Sequence, residues 1–184
     1  ALHAGLDEHI RDLKNRFPCD IAVQSDEPLY GDGLAGLKGT TDFDPVRPVP
    51  SEVAADAIEQ FDADLLNFTG QHPNWEAARV AKTAVIDVNL LTTDQDGIGE
   101  HIEEGHRLAL AINPFFDDGS LKDSRQVSIS IAKAWDRIGH SRIRLTTNLD
   151  IVPATAGESL KDMAAAYRFV AEIAGILERD AGDL

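Results

Sequence analysis

The chain contains 184 residues, of which 43% are hydrophobic and 27% are charged, and its formal net charge is −15. This length allows one hydrophobic core, and we predict a single domain over residues 1–184. The acidic balance excludes a basic surface for nucleic acid, and no apolar run approaches the roughly 18 residues that span a membrane. Because Cys19 is the single cysteine and the N-terminus lacks signal-peptide character, we expect a cytoplasmic protein.

Apolar runs of strand length alternate with stretches of helical spacing, which predicts an α/β fold. The predicted strands are 21–27, 64–69, 84–88, 108–113 and 143–147. The predicted helices are 2–17, 52–61, 74–82, 98–105, 123–138 and 160–177. Most of the strands are continuous apolar runs, as expected of parallel strands covered on both faces.

The last two predicted helices have clear apolar stripes with steps of three or four residues. The stripe of the first consists of Val127, Ile131, Trp135 and Ile138. The stripe of the second consists of Leu160, Met163, Tyr167, Val170, Ala174 and Leu177. Because residues at this spacing share one helix face, we predict that both stripes face the core.

Residues 28–50 are rich in glycine and proline and predict a long loop, a candidate site loop because it follows a strand. The stretch from Gly31 to Gly36 formally matches the GxGxxG pattern of dinucleotide-binding proteins. A functional pattern of this type opens a helix whose N-terminus receives the pyrophosphate. Since no helical period begins before Glu52, we assign no nucleotide cofactor to this loop.

Two adjacent acids, Asp26 and Glu27, end the first predicted strand within Gln24-Ser25-Asp26-Glu27-Pro28. The carboxyl ends of strands build the active face of a parallel barrel, so an acid there lies over the pocket. It can bind an ammonium group, orient a side chain or exchange a proton. The alternative is a capped turn, in which one acid accepts backbone N–H groups.

The segment Val-Gln-Ser-Asp-Glu-Pro resembles the Gln-x-Asp-Glu-Pro strand of cobalamin-independent methionine synthases and their short relatives. Further elements follow in the order of that family: Asn67-Phe68-Thr69, Asp87, Gly105-His106-Arg107-Leu108-Ala109-Leu110, Trp135-Asp136-Arg137-Ile138-Gly139 and Arg144-Leu145-Thr146-Thr147-Asn148. The resemblance covers nearly the whole chain and implies a parallel (β/α)8 TIM-type barrel of which about five βα units are present. A flavodoxin-like open sheet is the alternative architecture.

A partial barrel of this kind would have two edge strands that each lack a neighbour. Unpaired edge strands invite association. Either the chain is part of a longer protein, or a homo-oligomer closes the open sheet edges.

The resemblance implies zinc-activated methyl transfer from a folate to a thiol, with His-x-Cys, an acid and a second Cys as the family ligands. The matching positions here hold Asn67, Thr69 and Leu149, and Asp87 alone keeps its character. Because these residues cannot form a soft-donor tetrahedral site, we predict no metal and no cofactor. We interpret His72 as a surface or cap residue.

Two other residues that could take part in chemistry, His106 and Cys19, are interpreted as structural. His106 ends a predicted helix, where it contacts the negative end of the helix dipole. Cys19 precedes its strand and therefore falls on the stability face of a barrel, which makes it a poor nucleophile.

Polar residues at the predicted strand ends form a ring if the barrel closes. The predicted substrate-binding residues are Asp26, Glu27, Asn67, Thr69, Asp87 and Asn148, with Asn89 and Asn113 nearby. Such a ring suits a small polar molecule, an amino acid or a folate. Asp26 or Glu27 is expected to hold an amino group while Asn and Thr side chains fix orientation.

Three functions therefore compete. The first is a methionine-synthase-like methyltransferase, which the resemblance favours and the substituted ligands oppose. The second is another metal-free member of the superfamily, which includes uroporphyrinogen decarboxylase, but Arg47, Arg107 and Arg144 are too scattered for its acidic substrates. The third is a metal-free binding protein or catalytically silent relative, and the sequence leaves the first and third open.

Overall fold

The structure is a computed structural model that describes residues 2–27, 29–37, 39, 45–154 and 159–184. Within these residues the strands are β1 (Gln24–Asp26), β2 (Leu65–Asn67), β3 (Thr83–Asp87), β4 (Arg107–Ile112) and β5 (Leu149–Pro153). The helices are α1 (Leu2–Arg16), α2 (Tyr30–Ala35), α3 (Ser51–Glu59), α4 (Trp75–Val80), α5 (Leu90–Thr93), α6 (Gln95–Glu103), α7 (Ser124–Ile138), α8 (Arg144–Thr147) and α9 (Leu160–Asp180). The predicted α/β class is confirmed. In the described ranges, no helix has the length and apolar character needed to cross a bilayer.

The five strands form one all-parallel sheet in the order β1-β2-β3-β4-β5. Each strand therefore pairs with its neighbours in the chain. Connections between adjacent parallel strands are right-handed in nearly all proteins, so they place successive helices on the same side of the sheet. This order differs from that of a flavodoxin-like sheet, in which the chain reverses its direction across the sheet.

The hydrophobic core confirms that the helices cover one face. Leu66, Ile86 and Leu110 of the strands pack in one cluster with Ile131 of α7 and Ile173 of α9. A second cluster consists of Val85, Ala109 and Ala111 with Leu65, Val152 and Ala154, none of which belongs to a helix. We call the side of the sheet that carries this second cluster the helix-free face.

The predicted strand 143–147 is wrong, because these residues form the short helix α8 and the strand begins later, at Leu149. The hydroxyl groups of Thr146 and Thr147 bond to Ile143 O at 2.8 and 3.4 Å, which favours a helical turn. The true strand contains Pro153, which lacks an N–H group and is tolerated because β5 lies at the sheet edge.

The prediction that no helix begins before Glu52 is also wrong, because α2 occupies part of the glycine-rich segment. Gly31 and Gly33 lie inside this helix rather than before it, so the dinucleotide pattern has no helix N-terminus to use. Gly36 ends the helix with φ of 82°, where a Cβ would lie 3.0 Å from Val46 O. Pro28 lies outside the described residues.

The apolar stripe of α7 packs on the core as predicted, whereas the stripe predicted for α9 is correct only at Val170 and Leu177, which are buried. The other four predicted members are exposed: Leu160, Met163, Tyr167 and Ala174. The buried face of α9 instead begins at Ala166. The first turns of α9 therefore extend beyond the edge of the core.

Gly97 in α6 gives a first test of the packing. A Cβ at this position would overlap the Trp75 indole, whose Nε1 donates to Asp94 Oδ2 at 2.8 Å. We therefore expect Gly97→Ala to lower the free energy of unfolding by about 1–3 kcal/mol, measured by urea denaturation. Gly99→Ala in the same helix is the matched control, because its Cβ would lie 3.5 Å from Ile138 and helical Gly→Ala stabilises by roughly 0.5–1 kcal/mol. Equal effects of the two substitutions would contradict the packing.

His101 is a fully buried titratable residue at the amino edge of the sheet. Its Nε2 lies 3.2 Å from Arg107 O, and because a carbonyl only accepts, Nε2 carries the proton. The ring stacks on His106 at a centroid distance of 4.9 Å, and Nδ1 has no partner among the described residues. Burial lowers the pKa of His101 from 6.5 to about 4, although the bond to Arg107 opposes this shift.

This lowered pKa predicts a loss of stability in acid. Between pH 6.5 and pH 4 the unfolded chain binds a proton at His101 that the folded chain does not, so stability falls as the pH falls through this window. We expect the free energy of unfolding to fall by up to about 3 kcal/mol more in the wild type than in His101→Gln. Urea denaturation at several pH values across this range measures the free energy of unfolding of both proteins. His9→Gln, at an exposed position, is the control. Parallel pH profiles of wild type and His101→Gln would contradict the assignment.

Candidate functional site

Three neighbouring strands end in polar residues at the carboxyl edge of the sheet. β1 ends at Asp26, β2 at Asn67 and β3 at Asp87. Asp26 is the register partner of Asn67, which is in turn the partner of Val85 on the helix-free face. Because paired residues share a face and side chains alternate along a strand, Asp26, Asn67 and Asp87 all lie on the helix-free face.

Hydrogen bonds fix one oxygen of Asp26 and leave the other available. Asp26 Oδ1 accepts from Asn67 Nδ2 at 2.7 Å and from Gln24 Nε2 at 2.8 Å. The Asn67 carboxamide is held from its other end, because its Oδ1 accepts the Thr69 N–H at 3.0 Å. Asp26 Oδ2 accepts no hydrogen bond from the described residues, so an incoming donor can bind there.

The turn after β2 connects Asp87 to this arrangement. Gly70 N–H donates to Asp87 Oδ2 at 2.8 Å, and the φ of 83° at Gly70 is one that glycine adopts readily. Thr69, the preceding residue, takes part through its backbone N–H. Two carboxylates and one carboxamide from three strands thus lie on one face at the carboxyl edge, where Asp26 bonds to Asn67 and the turn after Asn67 bonds to Asp87. We call these three residues the edge cluster: Asp26, Asn67 and Asp87.

Glu27 follows β1, and its side chain bonds to Ser25, which points to the face of β1 opposite to Asp26. Its Oε1 accepts from Ser25 Oγ at 2.7 Å, and its carbonyl oxygen accepts from Gln71 Nε2. Burial raises the pKa of the Tyr30 hydroxyl, with smaller contributions from Glu76 and Glu27. The structure therefore separates Glu27 from Asp26.

Asn148 lies at the amino ends of the strands, whereas the edge cluster lies at their carboxyl ends. It precedes β5, and its Nδ2 donates to His106 O at 3.3 Å. The expectation that Asn148 follows the last strand is wrong, since that strand begins at Leu149. Leu149 is buried at the amino end of β5, so it does not occupy a ligand position at the carboxyl edge.

Two further residues of the predicted polar ring, Asn113 and Asn89, stabilise turns at the carboxyl edge of the sheet. Asn113 Oδ1 accepts the Phe115 N–H at 3.0 Å, directly after β4. Asn89 precedes α5, and its carbonyl oxygen accepts from the Thr92 hydroxyl at 2.8 Å. Neither side chain bonds to the edge cluster within the described ranges.

The edge cluster is anionic. No described lysine, arginine or histidine forms an ion pair with Asp26 or Asp87. Arg107 lies on the same face but at the amino edge, where both of its bonds to the Asp150 carboxylate are 2.9 Å long. Carboxylates without a cationic partner favour a cationic ligand, and an ammonium group can also donate a charge-assisted hydrogen bond to a carboxylate oxygen.

The residues do not fit the zinc site that the resemblance implies. Among the described residues, no group of three or more His, Cys, Asp or Glu could hold a metal ion. His72 is turned to other partners, with Nε2 3.1 Å from Asp94 Oδ2 and Nδ1 3.0 Å from Pro73 O. Thr69 and Leu149, at the positions where the resemblance would require cysteines, offer no soft sulfur donor of the kind that selects zinc.

Sequence reasoning missed the contributions of Gln24 and Gly70. The signal for Gln24 is its position two residues before Asp26, which places both side chains on one face. Gly70 follows a strand, but nothing in the sequence indicates that its N–H points to Asp87. That contact depends on the register between β2 and β3.

No protein family, curated protein or solved structure matches this chain. The edge cluster offers acceptor oxygens, one fixed carboxamide dipole and negative charge, a combination that can recognise a polar cation.

The donor set predicts that the purified chain holds no stoichiometric zinc. The hard oxygen donors of Asn67, Thr69 and Asp87 bind zinc weakly without thiolate or imidazole partners. Plasma mass spectrometry after dialysis, on protein purified without metal-affinity resin, measures the content. One zinc per chain that is lost in Asp87→Asn would contradict this assignment of ligands.

Proposed function

We propose that this chain is a methionine-synthase-like barrel protein that binds a small amino acid by its ammonium group at Asp26, without zinc. The observation that carries the proposal is the state of the Asp26 carboxylate. Two donors hold Oδ1 in place, and Oδ2 is bonded to nothing among the described residues. A carboxylate that is oriented in advance but not neutralised is suited to bind a cation.

The sheet topology supports the barrel part of the proposal. Sequential parallel strands with helices on one face are the local arrangement of a (β/α)8 barrel, and the five strands account for about five of its eight units. Barrel enzymes bind their substrates at the carboxyl ends of the strands. The edge cluster lies at that end.

The exposed edges support a proposal about partners. Within the described residues, β1 and β5 each pair with one strand only. Beside β5, the first turns of α9 expose Leu160, Met163 and Tyr167. We propose that another copy of the chain covers these edges, since unpaired strands and exposed apolar side chains favour association.

Recognition of an amino acid uses the two acids in different ways. Its ammonium group donates to Asp26 Oδ2, while the second carboxylate, Asp87, adds negative charge from the neighbouring strand. Asn67 keeps Asp26 in position, because its carboxamide is bonded at both ends. Charge-assisted bonds of this type contribute roughly 1.5–3 kcal/mol each.

Binding without turnover is the alternative that the donor set favours over methyl transfer. Methyl transfer to a thiol near neutral pH needs a group that ionises the thiol. The edge cluster contains carboxylates and a carboxamide, which hold a cation but stabilise no thiolate. The proposal therefore describes a binding protein related to the synthases, with folate as a second candidate ligand.

Calorimetric titration of the full chain with L-methionine and L-homocysteine tests the proposal. We expect binding of both and none of N-acetyl-L-methionine, which lacks the ammonium group. Asp26→Asn should weaken binding about tenfold or more, because one charge-assisted bond becomes neutral.

Glu27→Gln is the matched control, since it removes the adjacent acid, which lies on the other side of β1. Its affinity should equal that of the wild type. Equal binding of N-acetyl-L-methionine, or equal losses in the two variants, would show that Asp26 does not hold the ammonium group.

A further inference from the structure

A cavity of about 600 Å³ lies on the helix-bearing side of the sheet, between α5 and α7. Its apolar lining includes Val88, Leu91, Ile112, Val127 and Ile131. Pockets of roughly 300–1,000 Å³ with mainly apolar walls are typical of small-molecule sites. The size and lining of this cavity therefore fit a small ligand.

An ordered segment forms the remaining wall. Residues 114–122, which we call the flap, fold back on themselves: Lys122 N donates to Pro114 O at 2.8 Å and Phe116 N to Ser120 O at 2.8 Å. The flap presents Phe116 and Leu121 to the cavity, where they remain 55% and 51% exposed. Large apolar side chains on a well-bonded wall indicate a surface that another molecule covers.

The charged groups that line the cavity are already engaged. Lys122 Nζ donates to Asn113 O at 2.8 Å and lies 5.7 Å from the centre of the Phe116 ring. Asp123 caps α7 by accepting the Gln126 N–H at 2.9 Å. An ionic ligand would have to displace one of these bonds, whereas a neutral ligand would not.

Among the polar side chains that α7 contributes to the cavity wall, the Gln126 carboxamide is available to bond to a ligand. Ser130 Oγ donates to Gln126 O at 2.9 Å, so its proton is used within the helix. The Gln126 carboxamide has no hydrogen-bond partner among the described residues, and it can both donate and accept. It is therefore the group to which a ligand's own polar atom would bond.

We propose that this cavity binds a neutral, largely apolar small molecule with one hydrogen-bonding group that meets Gln126. The cavity is separate from the edge cluster, because Asp87 and Val88 are consecutive residues with opposite orientations at the end of β3. The inference does not depend on the proposed binding of an amino acid.

Fluorescence titration of the full chain with N-phenyl-1-naphthylamine, a neutral aromatic amine, tests this inference. We expect saturable binding with one site per chain and a blue-shifted emission. Leu121→Asp should weaken binding about tenfold or more, because it places a charge in the apolar wall. Ser130→Trp, which fills the cavity from a solvent-exposed position, should abolish binding.

Two matched variants control for general effects. Val53→Asp makes a similar change at an aliphatic side chain of α3 that is 53% exposed, and Lys133→Trp makes a similar addition on α7 outside the cavity. Both should bind the probe as the wild type does, and circular dichroism checks that each variant folds. If Leu121→Asp fails to fold, the loss of probe binding in Ser130→Trp tests the proposal instead.

Two results would overturn the proposal. One is no saturable binding, or equal losses in the cavity variants and their controls. The other is self-association of the wild type in sedimentation experiments that Leu121→Asp abolishes, which would make the cavity part of an interface between copies.

Discussion

Each strand of the sheet pairs with the strands before and after it in the chain, and all of them run in one direction. This constraint brings all carboxyl ends to one edge and places the packed helices on one face. The edge cluster exists because β1 and β2 end in register at Asp26 and Asn67, while β3 continues two residues further to Asp87 on the same face. A shift of one residue in any of them would turn its polar end toward the helices.

The same constraint explains why two different surfaces meet at this edge. At the end of β3, Asp87 faces the helix-free side and Val88 faces the helices. The first joins an anionic cluster that a polar cation can enter, and the second lines an apolar cavity. Alternation along a strand thus separates polar from apolar recognition by one residue.

The sequence predicts the parts of the fold that local pattern determines. The predicted ranges of β2, β3 and β4 agree with the structure within a few residues because their apolar runs are nearly continuous, and that of α7 agrees because its stripe is regular. β1 lies inside its predicted range, but its three residues are polar and follow the apolar run. β5 was missed because Pro153 weakens its strand pattern while Ile143 to Thr147 imitates one. That error places Asn148 at the wrong ends of the strands, and the separation of Glu27 from Asp26 is seen in the bond between Glu27 and Ser25. The Asp26 oxygen that has no partner among the described residues, and the bond from Gly70 to Asp87, both depend on tertiary register, which no local pattern contains.

The central claim is that residues from three strands form one site for an ammonium group. Backbone amide shifts in nuclear magnetic resonance spectra, recorded during titration with methylammonium chloride against sodium chloride, test it most directly. The account predicts that the amides of Asp26, Asn67, Gly70 and Asp87 shift together with one affinity, while Arg107 and Asn148 at the opposite edge do not shift. Shifts confined to the opposite edge, or independent shifts with different affinities, would contradict it.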